Sequence, residues 1–220
     1  MTVHLSDWIP MLKLIILDLD QTLLDTLHRF HQVYSEMIGG ISWEEFVKLF
    51  REDRLDELIK GDRAEFWEEF TRRFSKARHP EDRPIRGARE VLRELSRKYH
   101  VVVTTGRRVP PEEVWRELKE FGLAEYVHEV HTLMGHDGVW HRDSLLRRIL
   151  ESHGVEPEEA IFVGDYWVDM ESAREAGIRA VGVRTGLEPD RRLREHGAVM
   201  ILDGIWELRK ALEEIVRNDP

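Results

Sequence analysis

The spacing of apolar positions changes its period along the chain. Residues 11–17 are a short apolar run that stops at Asp18, which predicts a buried strand. Between about residues 28 and 77 the spacing turns helical. Phe30, Val33, Tyr34 and Met37 share one face, as do Phe46, Val47 and Phe50. Leu55, Leu58 and Ile59 repeat the pattern, and so do Phe66, Trp67, Phe70 and Phe74. Gly39-Gly40 and Gly61 punctuate it, with Ser42 and Asp62 as N-caps. An all-helical insert of about fifty residues follows, with 79–84 as its return linker.

Beyond the insert the two periods alternate. Helices are predicted over 88–98, 111–121, 144–153, 170–176 and 205–216, and strands over 101–104, 127–132, 160–163, 180–183 and 199–202. This is the pattern of an α/β, Rossmann-like parallel sheet covered on both faces, which binds ligands at the carboxyl ends of its strands. The expected division is a core domain of residues 1–27 and 81–220 and a helical domain of residues 28–80.

Composition narrows the class. With 220 residues the chain should bury roughly 70% of its unfolded surface, enough to fold without a metal or disulfide staple. It has no Cys, which excludes a disulfide scaffold, a thiolate-held zinc and a thiol nucleophile. The net charge of −10 argues against sequence-independent nucleic-acid binding. No run is long enough to span a bilayer, and residues 1–10 lack a signal-peptide pattern. A cytoplasmic protein, monomer or homodimer, is expected, with Met11 as an alternative natural start. One Asn, two Gln and no Cys amid 35% charged residues point to a thermophilic source; GC-rich coding is the other explanation, given 26 Arg against 7 Lys.

The chemistry sits at predicted strand ends. Asp18 and Asp20 follow the first strand, and alternation sends them in similar directions. Two such carboxylates repel unless a cation or shared proton intervenes. One can act as nucleophile and ligand, the other as acid and base; the plain alternative is a solvated strand end. Residues 161–163 run into Gly164 and Asp165, with Asp169 four residues on. Gly164 would let the backbone approach a ligand, and hard carboxylate donors favour Mg²⁺ over zinc. Asp169 also fits an ordinary helix cap. A third strand opens into Thr105-Gly106-Arg107-Arg108, whose hydroxyl, turn and guanidinium suit a phosphate oxygen.

Together these segments resemble the haloacid dehalogenase superfamily, in its Mg²⁺-dependent, phosphoglycolate-phosphatase-like branch. LDLDQTLLDT is similar to the first motif of that family, VVVTTGR to the second and IFVGDYWVDMESAREAGI to the fourth. The resemblance implies that Asp18 attacks phosphorus and that Asp20 serves as acid, then base. It implies Mg²⁺ held by Asp18, the Asp20 carbonyl and Asp165, with Asp169 beside it. Thr105 (Thr104 as fallback) and Gly106 would bind the phosphoryl group. The insert would be a lid that closes over the site and touches substrate.

Two positions depart from the family. Gln21 stands where Gly is common. The Lys of the third motif is missing from 140–143, where Arg142 is the substitute and His141 the alternative. The implied activity is hydrolysis of a small phosphorylated metabolite such as phosphoglycolate or pyrophosphate. A sugar phosphomutase or a non-enzymatic binding module are the alternatives. A dehalogenase conflicts with Asp20. A phosphonate-cleaving enzyme would need a cap lysine, and neither Lys48 nor Lys60 stands in a motif.

Overall fold

The computed structural model describes residues 12–134 and 142–217. Met11, residues 1–10 and His141 lie outside it. Six parallel strands form one sheet: β1 (Leu14–Asp18), β4 (His100–Thr105), β5 (Glu129–Thr132), β6 (Ala160–Gly164), β7 (Arg179–Val183) and β8 (Ala198–Leu202). Their order is β5-β4-β1-β6-β7-β8, so β1 lies between the strands that lead to the other two motifs. Register sets Asp18 beside Thr104, and Leu17 beside Val163.

Strand alternation divides the core into two layers. Ile15, Leu17, Val101, Val103, Ile161 and Val163 face one side. There they pack against α4 (Ala88–Leu95), α5 (Pro111–Glu120) and α9 (Leu208–Arg217), through residues such as Leu92, Leu118 and Leu208. Leu14, Ile16, Val102, Ala160 and Phe162 face the other. They meet α6 (Arg142–His153), α7 (Trp167–Glu175) and α8 (Asp190–His196) through Leu146, Met170 and Leu193. Each buried Val, Leu, Ile or Phe there contributes about 1.5–3 kcal/mol.

Between β1 and β4 the chain leaves and returns through a two-stranded ribbon, β2 (Leu24–Asp25) against β3 (Arg83–Pro84). The excursion carries α1 (Leu27–Ile38), α2 (Trp43–Arg51) and α3 (Arg63–Lys76). Ser42 and Asp62 cap α2 and α3 by accepting from the Glu45 and Glu65 N–H groups at 3.2 and 2.9 Å. These helices have their own core of Val33, Tyr34, Phe46, Leu49, Leu55, Phe70 and Phe74.

Several expectations are corrected. Leu55–Leu58 is a 3₁₀ turn and Ile59 after it is extended, rather than part of a helix. The helix expected from residue 144 is already formed at Arg142. Helix α8 and the β2–β3 ribbon were not expected; both are too short to show a period. No helix among the described residues is long and apolar enough to cross a membrane.

Candidate active site

The carboxyl ends of β1, β4 and β6 meet at one point, and the chemistry-bearing residues gather there. Asp18 ends β1, Thr105 ends β4, and Asp165 follows β6. Carboxylate oxygens of Asp18, Asp165 and Asp169 lie within 4.8 Å of one another, all three buried. Arg142, on the first turn of α6, reaches this cluster: its Nη2 is 3.2 Å from Asp18 Oδ1, and its Nη1 pairs with Asp169.

Gly106 gives that reach room. A Cβ built there would sit 3.1 Å from Arg142 Nη2, too tight for an unshifted guanidinium. Gly164 has a different job from the one expected. A Cβ there would come within 2.5 Å of Asp169 Oδ2, so the glycine clears space for Asp169 rather than for a ligand. Asp169 keeps its helix-cap role as well, accepting from the Tyr166 N–H at 3.1 Å.

Asp20 stands apart from the carboxylate cluster. Arg107 grips it with two nitrogens, Nη2 to Oδ1 at 2.6 Å and Nε to Oδ2 at 2.9 Å. The Thr26 hydroxyl adds a third hydrogen bond at 2.8 Å. Arg107 also pairs with Glu117, which receives Arg29 at 2.5 Å, and Arg29 in turn holds Asp82. A buried ionic chain therefore runs from Asp20 to the point where the helical insert rejoins the sheet. Arg107 was expected to face a phosphate oxygen; it is committed to carboxylates instead.

The environments push the two aspartates apart. Burial raises the Asp18 carboxyl to about 7; Arg142 opposes this and the Asp20 charge adds to it. Burial, with the charges of Asp18 and Asp20, also raises Asp165 well above the carboxylate range. Burial acts the same way on Asp20, but the Arg107 fork outweighs it and holds Asp20 below its usual value.

Thr105 lines the cavity, and its hydroxyl accepts from the Arg107 N–H at 3.2 Å. Thr104 faces away, its hydroxyl buried and unpartnered. Gln21 adopts φ 60°, the left-handed conformation that makes Gly common at such a turn. Its side chain offsets that strain: the amide oxygen can accept from the Thr26 and Leu27 N–H groups at 2.9 Å each, capping α1.

The donor set fits a hard divalent cation. Three buried carboxylates against one guanidinium leave two negative charges uncompensated, and every donor is oxygen. A cavity of about 700 Å³ opens from this cluster toward the insert. On the insert side Phe50, Leu55, Trp67 and Phe70 give it an apolar surface, interrupted by Asp53, Asp56 and Thr71. Trp167 lines the cavity too, with the Arg192 guanidinium 5.1 Å from its ring centre.

Sequence reasoning did not find Glu117, Arg29 or Thr26. A signal existed for Glu117, which falls on the apolar stripe of α5 with Val114 and Leu118. Arg29 is likewise a charged residue on the buried face of α1, beside Val33.

Comparison with known proteins gives the family and the fold. Residues 15–183 match the family described as haloacid dehalogenase-like hydrolase. A putative pyrophosphatase, PpaX, of Caldanaerobacter subterraneus is 28% identical, over 90% of this chain and 94% of its own. A 5'-nucleotidase of Pseudomonas aeruginosa is 25% identical, over 69% of this chain and 70% of its own. The crystal structure of a predicted phosphatase from Clostridium acetobutylicum superposes with a TM-score of 0.76 at 21% identity, covering 93% of this chain and 99% of that one.

Proposed function

Because the chain belongs to the haloacid dehalogenase-like hydrolase family, we propose that it is a Mg²⁺-dependent phosphatase acting on a small phosphomonoester through an aspartyl-phosphate at Asp18. The observation that carries this reading is the cluster of Asp18, Asp165 and Asp169, two of them paired with Arg142, with Asp20 two residues from the proposed nucleophile.

In the first step an Asp18 oxygen bonds to phosphorus, and the bond to the leaving oxygen breaks as that oxygen takes a proton from Asp20. In the second, water gives a proton to Asp20 and attacks the aspartyl-phosphate. Phosphate departs and Asp18 is regenerated. The Arg107 fork favours ionised Asp20, the form the second step needs. To donate a proton in the first step, the carboxylate must leave that fork. Thr105 and Arg142 would hold the phosphoryl oxygens, and Arg142 would offset charge near Asp18. Asp18, Asp165 and Asp169 would hold the cation, which when bound supplies Lewis-acid charge compensation. The three-helix insert acts as the cap over the leaving group.

The apolar wall supports a substrate whose leaving group has an apolar face. Of the cationic residues lining the cavity, Arg107 is held by Asp20, Arg142 by the cluster and Arg192 by Asp53 at 2.6 Å. While Asp20 stays in the Arg107 fork, a second phosphate therefore finds no unpaired cation among the described residues there, which weighs against binding of pyrophosphate. Assay of an aryl phosphate with Mg²⁺, and again in excess chelator, tests the reading. Turnover with Mg²⁺ and none in chelator is expected; equal turnover in both rejects the metal.

A further inference from the structure

Away from this site, three elements bring four imidazoles around one carboxylate. His100 opens β4, Glu129 and His131 lie on β5, and His153 ends α6. His100 Nε2 is 3.0 Å from Glu129 Oε1, and His153 Nε2 is 3.1 Å from the same oxygen. His131 Nε2 approaches the other oxygen, Oε2, at 3.1 Å. His128 closes one side, its ring stacked on His100 at 4.7 Å and its Nδ1 taken by the Val101 N–H.

The His153 nitrogen is the informative atom. It is buried and, despite its distance from Glu129, makes no aligned hydrogen bond. A buried polar atom left in that state is unfavourable unless something else occupies it. The separations say what fits. With zinc–ligand bonds of about 2.0–2.1 Å, tetrahedral ligand atoms lie roughly 3.4 Å apart. Ligand atoms of His100, Glu129 and His153 all fall within 4.8 Å of one another, with two of the separations at 3.0 and 3.1 Å.

We propose that His100, His153 and Glu129 form a second metal site, selective for Zn²⁺ or a similar borderline cation, with His131 orienting the carboxylate. Two imidazoles and one carboxylate favour such a cation over Mg²⁺, which prefers an all-oxygen shell. The group occupies a different place from the catalytic cluster. His100 and Thr105 stand at opposite ends of β4, separated by about 16 Å of strand. The bound ion ties β5, the edge strand of the sheet, to β4 and to the end of α6.

Calorimetric titration of Zn²⁺ into the full-length, chelator-stripped protein in excess Mg²⁺ tests this. One equivalent should bind, and His100→Ala, His153→Ala or Glu129→Gln should each weaken it at least about tenfold. His131→Ala, which leaves all three ligands, should weaken it by about 10–100-fold. Asp165→Asn should leave it unchanged, as should any loss of phosphatase activity. His100→Ala should retain wild-type phosphatase activity in Mg²⁺, which also shows that this variant folds. Absence of Zn²⁺ binding, binding unaffected by the histidine variants, or its loss in Asp165→Asn overturns the site.

Discussion

Arg107 holds the Asp20 carboxylate by two nitrogens, at 2.6 and 2.9 Å, and through Glu117 it is joined to Arg29 on the first helix of the insert. Asp20, the proposed acid–base residue, and the base of the helical insert thus share one buried ionic chain. Removing a partner from such a chain leaves an uncompensated buried charge.

Arg107→Met should therefore destabilise the protein by about 3–5 kcal/mol in denaturant melts. It should also free burial to raise Asp20, moving the acid limb of the pH–rate profile upward. An unshifted limb in a folded variant contradicts the assigned fork.

Arg142 pairs with Asp18, the proposed nucleophile, at 3.2 Å. Arg142→Ala should lower kcat by about a hundredfold or more, since it removes charge at the reacting oxygen. Arg142→Lys should recover part of that loss, because charge survives without the fork geometry. Steady-state kinetics decide: an alanine variant within twofold of wild type, about the scatter of such assays, rules out the role.

Much of this site was legible because each half of it follows a contiguous apolar run. In β1 and β6 every residue is buried, so the run itself marks the strand and the aspartates after it mark its carboxyl end. What was not legible needs long-range contacts. Arg107 sits in a phosphate-like turn, yet its partner Glu117 is ten residues away on a helix. Arg142 was legible as a residue, but not its place on α6, whose start the apolar pattern put two residues late because Arg142 and Asp143 are polar. The imidazoles at 100, 128, 131 and 153 are too scattered to read as a tract, and only the sheet and α6 unite them.

The raised carboxyls give the metal-free protein a pH signature. Unfolded aspartates ionise near 3.8, whereas folded Asp18 does so near 7 and Asp165 is also raised. Groups raised on folding add stability below their unfolded pKa and lose it as pH climbs through the folded one. Without metal, Asp165→Asn should thus melt above wild type at pH 7, and the gap should shrink by about pH 5. A variant that melts below wild type at pH 7 contradicts the sign.

The cavity wall predicts a substrate order. With Phe50, Leu55, Trp67 and Phe70 opposite the carboxylates, an aryl phosphate should exceed pyrophosphate in kcat/KM by at least about tenfold. The reverse order places a free cation in the cavity and redirects the substrate reading to pyrophosphate.

The central claim is that Asp18 attacks phosphorus, and turnover of purified Asp18→Asn tests it most directly. An amide cannot form the acyl phosphate, and the exchange leaves shape and volume intact. With an aryl phosphate and Mg²⁺, activity should fall to the no-enzyme background while the melting profile stays cooperative. Activity within about tenfold of wild type, a loss too small for removal of a nucleophile, contradicts the account and moves the chemistry to another residue.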